Sequence, residues 1–197
     1  CAAQDNRETA LTQIAGEPIS TVCAGRTDSG VHALAQVVHF DTIAARPVTA
    51  WVRGSNALLP SALAVTWAKV MSDEFHARYS ARERCYRYVL LNRPVRPAAD
   101  RARVGWFHLP LALDKMRNAA HLLVGEHDFG AFRSSECQAR SPVRDLRRVD
   151  IGRRGDYVIF EFCANAFLHH MVRTIVGCLV YVGKGKYPPE WVGDVLA

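Results

Sequence analysis

The six cysteines, at 1, 23, 85, 137, 163 and 178, form no C-x-x-C pair and stand far apart in the chain. That spacing argues against a zinc site and against a disulfide framework. Reduced cytoplasmic thiols are expected, four of them among apolar neighbours where they pack as small hydrophobes. No apolar run approaches the roughly 20 residues that cross a bilayer, and no targeting signal is read in the polar stretch that follows Cys1. Neither a membrane span nor a membrane partner is expected. Internal repeats and low-complexity tracts are also missing. Lysine is scarce, with 4 residues against 21 arginines.

What is there suits globular domains: 197 residues, 49% hydrophobic and 22% charged, enough for one large core or two small ones. The formal net charge of +6 is uneven. Residues 78–103 hold eight arginines against Glu83 and Asp100, and residues 133–154 hold seven against Glu136, Asp145 and Asp150, so the remainder is acidic. Clustered cations suit a phosphate-rich partner, and the planar guanidinium fork matches phosphate oxygens.

The most chemically loaded stretch is Ala24-Gly25-Arg26-Thr27-Asp28-Ser29-Gly30-Val31-His32-Ala33, between two β-leaning runs at 19–24 and 34–41. Gly25 and Gly30 supply the freedom a sharp loop needs. Arg26 and Asp28, at i and i+2 of a locally extended loop, project to one side, so the guanidinium favours the ionised carboxylate. An ionised carboxylate is a nucleophile. The plainer alternative is a hairpin turn with a surface ion pair.

Periodicity supplies the rest. Ala10, Leu11 and Ile14 suggest a helix ending near residue 15, and Pro47 opens a second helix that stops before Pro60. Residues 63–70 read as a strand. Residues 82–91 alternate, with Arg84, Tyr86, Tyr88 and Leu90 on one face and Glu83, Cys85, Arg87 and Val89 on the other. Tyr88 suits the core; Tyr86, between Arg84 and Arg87, suits either the core or a stacked base. The proline- and arginine-rich residues 92–110 read as a connector, with a domain boundary at 95/96. Asp114 begins a helix stopped at Gly125, residues 146–151 and 157–164 form a strand pair, and Asn165 caps a buried helix running to Gly183. On that helix Arg173 is a cation among apolar positions that needs a partner, His169 shares its face, and His169 and His170 point to different sides, which excludes a metal pair.

Gly25-Arg26-Thr27-Asp28-Ser29-Gly30-Val31-His32-Ala33 with Gln36-Val37-Val38-His39-Phe40 resembles the signature of the tRNA pseudouridine synthase A (TruA) family. Asn56-Ala57-Leu58-Leu59-Pro60, Phe75-His76-Ala77-Arg78-Tyr79-Ser80, Tyr86-Arg87-Tyr88, the run from Ala164 to Arg173, and Ile175-Val176-Gly177 follow in the same order. The resemblance implies an α+β fold of two domains built like RNA-recognition modules, sharing an extended antiparallel sheet with a central cleft. Residues 1–95 would carry the aspartate loop and 96–197 the second module. It implies isomerisation of uridine to pseudouridine in the anticodon stem and loop of tRNA (positions conventionally numbered 38–40), with no cofactor and no metal, by a cytoplasmic homodimer.

Carried onto this chain, Asp28 is the nucleophile, acting at C1′ or C6 or taking a proton from C2′, and Arg173 pairs with it. Tyr86 stacks on the uracil and accepts the C5 proton. Arg26, Arg78, Arg84 and His169 bind the RNA. The family pattern also has a strand before Cys1 and another after Ala197, so a fragment with exposed sheet edges and incomplete activity is expected. Two rivals use the same residues: a non-catalytic RNA-binding module, and an aspartic-protease-like Asp-Ser-Gly loop, whose raised pKa Arg26 would oppose.

Overall fold

Apolar residues three and four apart place Ala10, Leu11 and Ala15 on one stripe of helix α1 (Ala2–Ala15), and that stripe is buried. The structure, a computed structural model, describes residues 2–25, 27–28 and 30–197. It divides into two units, Cys1–Ala81 and Arg82–Ala197. The sequence boundary at 95/96 falls later because the strand before it is bonded into the sheet of the second unit.

In the first unit α1 packs on α2 (Val48–Leu58), with Leu11, Ala15, Ile19 and Trp51 at the centre and Phe40 edge-on to Trp51. Pro47, with φ −63°, precedes the first turn of α2, and the chain leaves the helix at Leu59 ahead of Pro60. Gly54 of α2 approaches α1 so closely that a Cβ would lie 3.1 Å from Ile14 Cδ1. Side chains of α1 also hold the chain leading to the aspartate loop. Glu8 Oε1 accepts from Gln4 Nε2, from the Thr21 N–H and from the Thr21 hydroxyl, and Arg7 Nη2 donates to Thr21 Oγ1 at 2.7 Å.

Strands β1 (Val22–Cys23) and β2 (Val38–His39) pair antiparallel, Val22 opposite His39. The ladder is shorter than the runs at 19–24 and 34–41 suggested. Residues 63–70, expected as a strand, join no ladder among the described residues. Instead Asn56 bonds Val65 at both its N–H and its carbonyl. β-propensity makes a chain extended; only a paired backbone makes it a strand.

The second unit is a five-stranded sheet in the order β4-β3-β7-β6-β5: β3 (Arg84–Asn92), β4 (Gly105–Phe107), β5 (Gly125–Asp128), β6 (Val143–Arg154) and β7 (Tyr157–Ala164). Neighbours are antiparallel except β3 and β4, which makes the sheet mixed and puts a strand inside the expected connector. The β6–β7 hairpin turns at Gly155, whose φ of +57° favours a residue without Cβ. One face carries α3 (Leu113–His121), α4 (Met171–Gly183) and α5 (Trp191–Leu196) over a core that includes Phe160, Phe162, Leu146, Met116, Ile175 and Leu179. The alternation of β3 is as its sequence reads: Tyr86, Tyr88 and Leu90 lie opposite Phe162, Phe160 and Val158 on the core face.

The cysteine expectation needs correction. Cys85 and Cys163 stand directly opposite each other in the β3–β7 register, with Cα atoms 4.2 Å apart, and are joined as a disulfide. Cys23, Cys137 and Cys178 are free and only half-buried. Seventy-eight residues separate the bonded pair, so spacing gave no hint of a contact that strand register creates.

Truncation of the fully buried Phe162 to Ala lowers the unfolding free energy by about 3–5 kcal/mol, read by urea titration. Glu8→Ala removes the acceptor for Thr21 and costs about 1–2 kcal/mol. The amide of Gln4, then the Thr21 N–H, hold the Glu8 carboxyl below its ordinary pKa of 4.5. Its contribution is therefore complete above that value and lost as pH falls through the lowered folded value. Acid titrations of wild type and Glu8→Gln should converge at low pH.

Candidate active site

The aspartate loop leaves β1 and returns at β2, and its stem is closed by short bonds. Ala24 donates to the Val37 carbonyl at 2.9 Å, and Gln36 Nε2 donates to the Gly25 carbonyl at 2.6 Å. At the tip the Val31 N–H bonds the Asp28 carbonyl at 3.1 Å, with Gly30 at φ +81° completing the turn. Asp28 thus sits on a tight turn tethered to a ladder that α1 braces through Thr21. Arg26 and Ser29 lie outside the described residues.

Beside the loop stem is a cluster of rings that motif reading passed over. His39 of β2 accepts the Ala77 N–H at Nδ1, 3.1 Å away, and its ring meets His76 at 4.7 Å. His76 stacks on Tyr79 at 4.2 Å, and the Tyr79 ring is exposed. The signal was present in the sequence, since the two quoted motifs at 36–40 and 75–80 supply one or more rings each. Arg78, between them, is exposed.

In the second unit Tyr86 is half-buried on β3, opposite Phe162, and meets the ring of Phe167 edge-on at 5.0 Å. That wall of rings leaves one phenol flank apolar. Tyr88 belongs to the core, edge-on to Phe160. Arg84, two residues before Tyr86, donates from Nη1 to the Asn165 carbonyl at 2.8 Å.

Asn165 does not cap a helix there. Its Oδ1 accepts from the N–H groups of Asp145 and Ala166, and its own N–H bonds the Asp145 carbonyl, tying the end of β7 to β6. Helix α4 starts six residues later, at Met171, behind His170 in the left-handed region with φ +64°. Residues 165–170 therefore form a bent, hydrogen-bonded segment, in which Ser134 donates to the His169 carbonyl. The two imidazoles stack, with centroids 3.9 Å apart, instead of pointing to opposite sides. The reason is local: side chains diverge by about 100° only where both residues are helical.

Arg173 also departs from expectation. It occupies the first turn of α4 on its exposed side, while Met171, Ile175, Val176 and Leu179 turn to the core. Arg173 is therefore not a buried cation. What stands in its place is a guanidinium added to the positive end of a helix dipole, a combination that attracts an anion.

Much of the arginine excess is committed within the second unit. Arg87 pairs with Glu161, Arg147 with Asp145 and Glu83, Arg148 with Asp150, and Arg153 Nη2 donates to Asn92 Oδ1. These are mostly exposed pairs of small energetic weight, so a phosphate can compete for the same cations.

The family described as tRNA pseudouridine synthase matches residues 2–80 and 119–197. A protein of Nitrosomonas eutropha named tRNA pseudouridine synthase A is 58% identical over 193 residues, covering 98% of this chain and 70% of that protein. One of Thiobacillus denitrificans with the same name is 58% identical over 197 residues, covering 100% and 76%. One of Nitrosomonas europaea, again so named, is 57% identical over 193 residues, covering 98% and 71%.

Asn165→Ala leaves the N–H groups of Asp145 and Ala166 without their acceptor and costs about 1–3 kcal/mol, while Asn165→Asp, which keeps an acceptor oxygen, costs less. Hydrogen exchange at Asp145 and Ala166 reads the difference: both amides accelerate in the alanine variant before the rest of the sheet does.

Proposed function

The chain belongs to the tRNA pseudouridine synthase family, and we propose that its substrate in that reaction, the conversion of uridine to pseudouridine, is the anticodon stem and loop of tRNA at positions 38–40. The reaction breaks the bond from N1 to C1′, turns the uracil and rejoins it through C5. No atoms are gained or lost, so the reaction needs no redox cofactor. What such a site must supply is a nucleophile or charge stabiliser at a glycosidic centre, a flat surface for the detached base, and a group to take the C5 proton.

Asp28 is the proposed nucleophile. Support comes from its place on a tight, braced turn inside the longest stretch that resembles the family signature. Arg173 is the proposed partner of the Asp28 carboxylate, a role suited to a cation on the positive end of α4. Tyr86 is proposed to stack on the uracil and to accept the C5 proton late in the reaction; its apolar flank of Phe162 and Phe167 favours a base over water. Arg26, Arg78, Arg84 and His169 are proposed RNA contacts that offset the few kcal/mol needed to extrude a nucleotide. A cytoplasmic homodimer belongs to the same proposal.

The observation that carries this reading is the near 58% identity to synthases over almost all of the chain, the aspartate loop included. Release of tritium from C5-labelled uridine in tRNA tests it. Asp28→Asn should bind tRNA with unchanged salt dependence and release nothing above background; equal release by variant and wild type overturns the assignment. Tyr86→Phe keeps the ring and loses the proton acceptor, and should slow release by about 10²–10⁴-fold with binding retained. Binding by the wild type without any release would favour the RNA-binding module instead.

A further inference from the structure

The opposite face of the same strand pair carries chemistry the isomerisation does not use. Tyr86 and Phe162 point to the helices; Cys85 and Cys163, one residue along on each strand, point away from them. The two cysteines differ in access: Cys85 is exposed and Cys163 is 3% exposed. Their surroundings differ too. Arg148 Nη2 lies 3.4 Å from the Cys163 sulfur, and Glu83 Oε2 lies 3.7 Å from that of Cys85. A guanidinium favours the thiolate of the inner cysteine, the form that attacks a disulfide.

We propose that Cys85 and Cys163 form a reversible dithiol–disulfide site that exchanges with small-molecule disulfides of the glutathione type, Cys85 being the entry thiol and Cys163 the resolving one. In the first step the Cys85 sulfur attacks the small disulfide. A bond from Cys85 to one of its sulfurs forms, the small S–S bond breaks, and the departing thiolate takes the proton that Cys85 gives up. In the second, the Cys163 thiolate, beside Arg148, attacks the Cys85 sulfur; the cross-strand S–S bond forms, the bond from Cys85 to the small sulfur breaks, and the second small molecule leaves as a thiolate that takes up the proton Cys163 gave up. Two protein thiols are oxidised and one small disulfide is reduced to two thiols. The geometry supports both steps: only Cys85 is open to a bulky reagent, and the pairing of β3 with β7 holds Cys163 opposite it without rearrangement. Disulfides in reducing compartments are characteristically of this opening and closing kind. The closed form ties strands from opposite ends of a 78-residue separation and so stiffens the sheet behind Tyr86.

The test uses the intact chain equilibrated with mixtures of reduced and oxidised glutathione, quenched with an alkylating agent and mapped by peptide mass spectrometry. Wild type should pass reversibly from two alkylated thiols to one Cys85–Cys163 disulfide as oxidised glutathione rises, with a Tm higher by on the order of 10 °C in the oxidised form. Cys163→Ala should accumulate one glutathionyl group on Cys85, whereas Cys85→Ala should leave Cys163 unmodified. Mapping separates this from Cys137, whose thiol is lowered in pKa first by the Ala139 N–H and also by Arg133 and Arg144. The proposal fails if folded wild type keeps both thiols alkylatable throughout the titration, or if Cys163 takes up glutathione as readily as Cys85. The wild-type titration decides the matter even where a variant folds poorly.

Discussion

The antiparallel pairing of β3 with β7 is the constraint from which the second unit follows. Eight consecutive residues of each strand face one another, from Arg84 opposite Ala164 to Leu91 opposite Tyr157. Because side chains alternate strictly, this one register assigns every residue of both strands to a face. Tyr86, Tyr88 and Leu90 go to the helices; Cys85, Arg87 and Val89 go to the other side. A slip by one residue would put Cys85 in the core, Tyr86 among charges, and separate the two sulfurs. The proposed base platform and the proposed redox pair are two faces of one ladder.

The end of β7 shows how a polar residue can shape a site without touching substrate. Asn165 saturates the backbone where two strands part, and Arg84 reaches across to its carbonyl. The chain is thereby kept out of helix until His170, whose left-handed backbone costs about 1–2 kcal/mol and sets the direction in which α4 departs. Phe167 is left beside Tyr86 and Arg173 is left on the open side of the first turn. Moving the helix start by six residues is what turns Arg173 from a core anomaly into an exposed cation at the positive end of a dipole.

The first unit is built on a smaller scale, and its stability depends more on polar bracing. Among the described residues, two residue pairs make its ladder, and a handful of apolar side chains about Trp51 make its core. Glu8 and Arg7 therefore do for the aspartate loop what a wide sheet does for Tyr86: they fix the strand from which the loop departs. A proposed nucleophile on a loop needs such support, since a loop residue is positioned by the scaffold that holds the loop.

The sequence by itself determined the type of most elements. Helical spacing at Met116, Ala120 and Leu123 and two-residue alternation from Arg84 to Leu90 each reflect a burial pattern that a local window contains. It also carried the family signature, because the loop around Asp28 is a continuous stretch. The tertiary structure decided whatever depends on a partner distant in the chain: that residues 63–70 join no ladder among the described residues, that Asn165 bonds Asp145 instead of capping α4, that Cys85 meets Cys163, and that β3 belongs with residues 157–164. Hydrophobic period is a property of one segment. Register and hydrogen-bond partnership are properties of two, and no single window of sequence contains both.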